Sequence, residues 1–194
     1  MISARQHQII VGTLLGDSWF CRKVLCIKQA IRYREYVYWL YSELKHFCRS
    51  YPKQRKDDGQ WYFQTRSLPE LQKYKKWFYK DRKKIVPSNI SKLLTSPLGL
   101  AVWYMDDGSL DYRPKDHYNF AISTNSFSIE ENYLLVDVLR KNFGVEVSIQ
   151  TPLCRGKRYP ELYIGVAGRE RFLSLIQPYI VDCFSDNKLP PFLH

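Results

Sequence analysis

Two similar α+β units, each in the order αββαββα, are what this 194-residue chain predicts, on three observations. Residues 100–109, LAVWYMDDGS, form an apolar run of helical length that ends in an aspartate and a small turn-forming residue. Residues 10–18, IVGTLLGDS, are a weaker copy of the same design. The same pattern of strands and helices follows each run, and each half then reaches a lysine shortly before a proline, Lys84-Ile-Val-Pro87 and Lys188-Leu-Pro190. The units divide as residues 1–95 and 96–194 and should pack as a pseudo-twofold pair.

In the first unit, residues 8–15 are the apolar helix and residues 19–29 (WFCRKVLCIKQ) the first strand material. Val37, Leu40, Tyr41, Leu44 and Phe47 share a helical face within residues 36–47. The polar residues 50–58, closed by Gly59, read as a loop, residues 60–65 (QWYFQT) as a strand and residues 69–79 as an amphipathic helix. Pro69 suits the first turn of that helix, and Pro97 does the same for the motif helix of the second unit. Strands follow at residues 109–113 and 118–124. Ser128, with Glu130 and Glu131 behind it, caps a helix that runs to Phe143 and stops at Gly144. Residues 145–152 and 159–166 read as a hairpin around CRGKR, and residues 168–179 as the closing helix. Trp39, Phe47, Trp77 and Phe172 fall on apolar helix faces, which assigns much of the aromatic content to the core.

Composition narrows the partners. The formal charge of +11 points to nucleic acid, with an acidic membrane surface as the alternative. No apolar run reaches membrane-spanning length and no signal peptide is expected, which places the protein inside a cell, in a prokaryotic cytoplasm or an organelle matrix. Residues 1–95 carry 20 Lys and Arg against 7 Asp and Glu, and residues 96–194 carry 10 against 12, so the first half should supply most of the attraction to phosphate. The five cysteines are scattered, without a CxxC pair, and read as reduced thiols, not as a zinc site.

The chemistry lies where the two apolar runs end. An aspartate at the C-terminal end of a helix opposes the helix dipole, and two in matching contexts suggest a metal site. Gly12 and Gly16 on one motif helix and Ala101 on the other should let the helices approach closely, bringing Asp17 and Asp107 together. Asp106 and Asp107 point about 100° apart on a helix, so metal binding by side chain falls to Asp107.

The two runs resemble the motif of the LAGLIDADG homing endonucleases, most closely the two-motif, single-chain members. Residues 100–108 keep the opening Leu-Ala and closing Asp-Gly; residues 10–18 keep Gly12 and the acidic Asp17. The resemblance continues through residues 119–145 and the KLP of residues 188–190, covering most of the chain. It implies two curved antiparallel sheets forming a DNA-binding saddle. It also implies a site-specific, Mg2+-dependent cut of both strands across the minor groove, with short 3′ overhangs. Mn2+ should substitute for Mg2+. By the same resemblance Asp17 and Asp107 bind metal, helped by the backbone carbonyls of Gly16 and Asp106. Lys84 and Lys188 would polarise water and offset phosphate charge.

The expected partner is a double-stranded DNA target, with intron RNA as a further candidate, no membrane, and a monomeric enzyme. Sequence reading by strands in a major groove would fall to Arg22, Lys28, Gln64, Arg66, Arg113, Asn119, Ser123, Gln150, Lys157, Arg158 and Tyr163. Alternatives on the same scaffold are an RNA maturase that assists splicing and a nuclease-dead DNA-binding regulator. Retention of both aspartates and both lysines favours the nuclease. With no splicing-type cysteine at residue 1, a free-standing or intron-encoded form is expected over an intein.

Overall fold

A computed structural model describes residues 1–113, 117–154 and 156–193. The first unit contains α1 (Ala4–Leu15), β1 (Trp19–Cys21), β2 (Val24–Gln29), α2 (Arg34–Leu44), β3 (Lys53–Gln54), β4 (Trp61–Gln64) and α3 (Pro69–Phe78). A short hairpin, β5 (Tyr79–Lys80) and β6 (Lys83–Lys84), and the one-turn helix α4 (Ile90–Leu93) close it. The second unit repeats the order with α5 (Pro97–Asp107), β7 (Gly108–Arg113), β8 (His117–Ser123), α6 (Ile129–Phe143) and β9 (Ser148–Gln150). It continues through the small hairpin β10 (Leu153–Cys154) and β11 (Lys157–Arg158), then β12 (Glu161–Ile164), α7 (Arg169–Ile176) and α8 (Ser185–Lys188). Arg155 of the expected CRGKR turn lies outside the described residues.

Each unit has a four-stranded antiparallel sheet of matching topology, β1-β2-β4-β3 in the first and β7-β8-β12-β9 in the second. The fold is therefore the α+β pair that the sequence predicts. Antiparallel sheets with one face on helices show alternating burial, and β12 does so; on β8 Tyr118, Phe120 and Ile122 point into the core, while Asn119 on the other face is buried as well.

Local chemistry explains the helix boundaries. Ser128 and Glu131 form a reciprocal capping box at the start of α6, and Gly144 ends that helix at φ +65°. Ser3 and Gln6 form a second capping box, so α1 begins at Ala4, a turn before the apolar run. The expected helix over residues 36–47 ends at Leu44 and tightens into a 3-10 turn to Phe47. Residues 168–179 divide likewise into α7 and a 3-10 turn at Gln177–Tyr179, since Pro178 has no N–H to extend the helical ladder.

The two motif helices form the seam between the units. A Cβ on Gly12 would stand 2.4 Å from the Gly99 carbonyl oxygen and 2.9 Å from the Val102 Cβ. A Cβ on Gly99 would stand 2.9 Å from Gln8 Oε1. On α5 the close approach includes Gly99, which faces α1. Apolar side chains from both units form one continuous core around these helices.

Polar contacts pin the connection between units. Buried Gln8 accepts from the Thr95 and Ser96 N–H groups through Oε1 and donates to the Leu93 carbonyl through Nε2. Asn142 of α6 donates to the Ser91 and Leu94 carbonyls, and Glu131 accepts the Val86 N–H. No helix among the described residues is long and apolar enough to cross a membrane.

Candidate active site

The seam delivers two aspartates to one place. Gly16 caps α1 and Asp17 follows it; Asp107 is the last residue of α5 and Gly108 its cap. A Cβ on Gly108 would fall 2.0 Å from the Tyr104 ring, so this closing turn admits only glycine. In the first unit Ser18 takes the equivalent place, buried beneath the start of β1.

Asp106 crosses the seam. Its Oδ2 accepts the Asp17 N–H at 3.2 Å, and Gln29 Nε2 bridges its Oδ1 at 3.1 Å and Asp17 Oδ2 at 3.0 Å. The space it occupies is space that Gly16 leaves: a Cβ there would stand 2.5 Å from the Asp106 side chain. The Asp106 carboxyl is therefore a direct partner of the first unit's aspartate, whereas the sequence reading gave only its carbonyl a role.

The two lysines approach from behind. Lys84 Nζ donates to the Gly16 and Ser18 carbonyls at 2.5 and 3.0 Å, flanking Asp17. Lys188 Nζ donates to the Tyr104 and Gly108 carbonyls at 3.2 and 2.5 Å, flanking Asp107 on its own unit. Lys80 and Lys83 are exposed beside Lys84, so only Lys84 of that run turns inward. Lys188 stands on α8, a one-turn helix that periodicity cannot reveal, and is 7% exposed.

Charge is compressed at this point. Burial, then repulsion from Asp17, pushes the Asp107 carboxyl up to about 7, against the opposing pull of Lys84 and Lys188. Burial and the same neighbouring carboxylates also raise the Asp106 carboxyl. Desolvation lowers Lys188 to about 8 and lowers Lys84 as well. Three carboxylates thus gather at two helix C-termini, with Asp106 tied to Asp17 and Gln29.

The donor set fits a hard divalent ion: carboxylate oxygens, plus carbonyls such as that of Gly16, which keeps a lone pair beyond its bond to Lys84. Among the described residues no three His, Cys, Asp or Glu side chains are grouped so as to hold a metal ion by themselves. Magnesium does not need such a group, because it binds through one or two carboxylates with substrate phosphates and water.

Above the seam lie the open faces of the two sheets. In the first unit the register places Trp19, Cys26 and Gln64 in one row and Lys28, Tyr62 and Lys53 in the next, all on the same face. These residues line a cleft of about 480 Å³. In the second unit the same face carries Ser109, Asp111, Arg113, His117, Asn119 and Ser123, joined across β12 by Glu161, Tyr163, Ser148 and Gln150.

Seven of the eleven residues expected to read bases share these faces by register, Lys28, Gln64, Arg113, Asn119, Ser123, Gln150 and Tyr163, but Asn119 is buried there, at 3% exposure. The other four do not share them. Arg66 lies beyond β4 and donates to the His46 carbonyl, turned toward the helices. Arg22 occupies the β1–β2 turn with φ +52°. Lys157 and Arg158 belong to the separate β10–β11 hairpin, where Arg158 donates to the Thr151 carbonyl. Of the four, only Arg22 falls within a run, residues 19–29, read as continuous strand material.

Gln29 escapes sequence reasoning because a polar residue ending a strand reads as surface. Its signal was parity: Leu25, Ile27 and Gln29 alternate onto the buried face of β2.

The comparisons with known proteins agree with this geometry. In sequence the chain is 29% identical over 213 residues to the RecA protein of Mycobacterium leprae (strain TN), covering 99% of this chain and 29% of that protein. It is 27% identical to DNA endonuclease I-ChuI of Chlamydomonas applanata, covering 94% of this chain and 93% of that one. The chain thus spans less than half of the RecA protein it matches and nearly all of the endonuclease. In structure it is similar to the homing endonuclease I-WcaI bound to its DNA recognition sequence, with TM-score 0.83, 25% identity, and 97% and 88% of the two chains covered. The fold is also that of I-DmoI in complex with DNA and Mn, at TM-score 0.53 and 16% identity over 90% of this chain and 97% of that one. Residues 7–172 match the LAGLIDADG DNA endonuclease family, and the chain belongs to it.

Proposed function

We propose that the protein is a site-specific homing endonuclease that makes a Mg2+-dependent double-strand cut in a long DNA target, acting as a monomer and leaving short 3′ overhangs. The observation that carries this reading is the meeting of Asp17 and Asp107 across one helix seam, with Lys84 and Lys188 behind them and two open sheet faces alongside. A regulator that only binds DNA has no use for a cluster of carboxylates, which repels phosphate.

Asp17 and Asp107 would hold the metal, with the carbonyls of Gly16 and Asp106 in support. When bound, magnesium activates water and offsets charge on the scissile phosphate. Lys84 and Lys188, fixed by carbonyls on either side of each aspartate, would polarise water and offset phosphate charge. Gln29 orients the Asp17 carboxylate, and Asp106 fixes the backbone that carries it. Residues of the open faces would read base edges in the major groove, where Arg and Lys suit guanine and Asn and Gln suit adenine.

A plasmid library carrying a randomised insert tests the reading. Incubation with Mg2+, with Mn2+ or with EDTA should give discrete linear products in the first two and none in the third. Failure to cut, together with tight binding to structured intron RNA, would replace the endonuclease with a maturase.

A further inference from the structure

A second basic site lies beside the first cleavage centre. A cleft of about 710 Å³ opens where α3 meets the β1–β2 and β5–β6 turns; its floor includes Phe20 and Tyr79, and Arg22, Lys75, Lys76 and Arg82 line it. No ion pair forms at these four cations among the described residues. The walls are fixed by structure. Gln72 Nε2 donates to the Lys23 carbonyl at 2.8 Å and Lys75 Nζ to the Arg22 carbonyl, clamping the turn to α3. Arg22 and Arg82 both adopt left-handed backbone, at φ +52° and +66°, where glycine or asparagine would be less strained.

The cleft is tied to the catalytic seam through Tyr79. Tyr79 pairs with Lys84 across β5 and β6, and its hydroxyl accepts the N–H of Phe20, three residues beyond Asp17. Arg82 is two residues from Lys84, a reach of no more than about 7 Å. Each DNA strand carries a charge about every 3.4 Å of helix axis, so a cation two residues from Lys84 is within reach of phosphates next to one at the seam. Among the described residues, the equivalent helix of the second unit lacks these cations. Where α3 carries Lys75 and Lys76 at its seventh and eighth positions, α7 carries Leu175 and Ile176. Its arginines are engaged, Arg169 with the Tyr118 carbonyl and Arg171 with the Phe143 carbonyl.

We infer that this cleft is a seat for backbone phosphates of duplex DNA flanking the first cleavage centre, so that the protein grips one side of its target more strongly, whatever the sequence there. The inference rests on the endonuclease reading. Lys76 and Arg82 are exposed, and Lys76→Gln/Arg82→Gln leaves the clamp of the turn untouched. A control pair, Lys45→Gln/Lys92→Gln, removes the same charge from exposed positions outside the cleft.

The readout is fluorescence anisotropy of a labelled 30-base-pair duplex of arbitrary sequence, titrated at several KCl concentrations without divalent metal. The cleft pair should lower the slope of log affinity against log salt by about 2, one unit for each lost phosphate contact. The control pair should leave the slope unchanged, and thermal melts should be unchanged for both. A wild-type slope in the cleft pair, or equal losses in both pairs, would overturn the inference while leaving the endonuclease reading intact. Wild-type protein that binds structured RNA and no duplex would overturn both.

Discussion

Replacing Asp107 by asparagine should stabilise the metal-free protein while removing its cleavage activity. The Asp107 carboxyl is pushed from 3.8 in the unfolded chain up to about 7 in the fold, by burial and by the Asp17 charge. The folded state therefore binds the extra proton, and stability falls as pH rises through the window between those two values, reaching its floor above pH 7. Three units at roughly 1.4 kcal/mol each make the ionised carboxylate cost about 4 kcal/mol. Asparagine has the same shape and no charge to bury. Urea denaturation in EDTA should give equal stabilities for Asp107→Asn and the wild type near pH 4, with an advantage for the variant that grows to about 4 kcal/mol by pH 8. Adding Mg2+ should then stabilise the wild type and not the variant, because ligand binding favours only the state that holds the site. A variant that gains nothing between pH 4 and pH 8, or gains the same at every pH, would refute the electrostatic account.

Other predictions address the frame around the site. Gly12→Val should cost about 3 kcal/mol or more in denaturation, since its Cβ meets the Gly99 backbone and Val102, neither of which can rotate away. Ser128→Ala should remove the capping box of α6 at a cost of about 1 kcal/mol, read from the same titration. His7, between the Tyr74 hydroxyl and the Leu93 carbonyl, is held below its ordinary value by burial. Its neutral form is the folded one, so melting temperature should fall as pH drops below about 6.5, and a His7→Gln variant should lose that dependence. Lys188→Met should abolish cleavage of an identified target while leaving duplex affinity within a few-fold of wild type.

What was legible in the sequence is what carries a strong local signal. The motif helices show as long apolar runs that stop at an aspartate and a small residue; Ser128, Pro69, Pro97 and Gly144 mark helix ends through their own backbone chemistry. The β5–β6 hairpin, α4 and α8 were not legible, because two-residue strands and one-turn helices are too short for a period. They are held instead by contacts from afar, as when Asn142 fixes the end of α4. At the site, the aspartates and lysines stood out by position. The reach of Asp106 into the space beside Gly16 did not, since it depends on how two helices pack and not on either alone. The open-face residues needed a register, which the turn at Arg22 and Lys23 set and the sequence left open.

The most direct test of a shared two-carboxylate site uses the recovered target with each strand end-labelled in turn. Wild type should cut both strands at offset positions, leaving short 3′ overhangs. Asp17→Asn and Asp107→Asn should each stop double-strand cleavage and still bind the duplex. Double-strand cutting that survives either substitution would contradict the account.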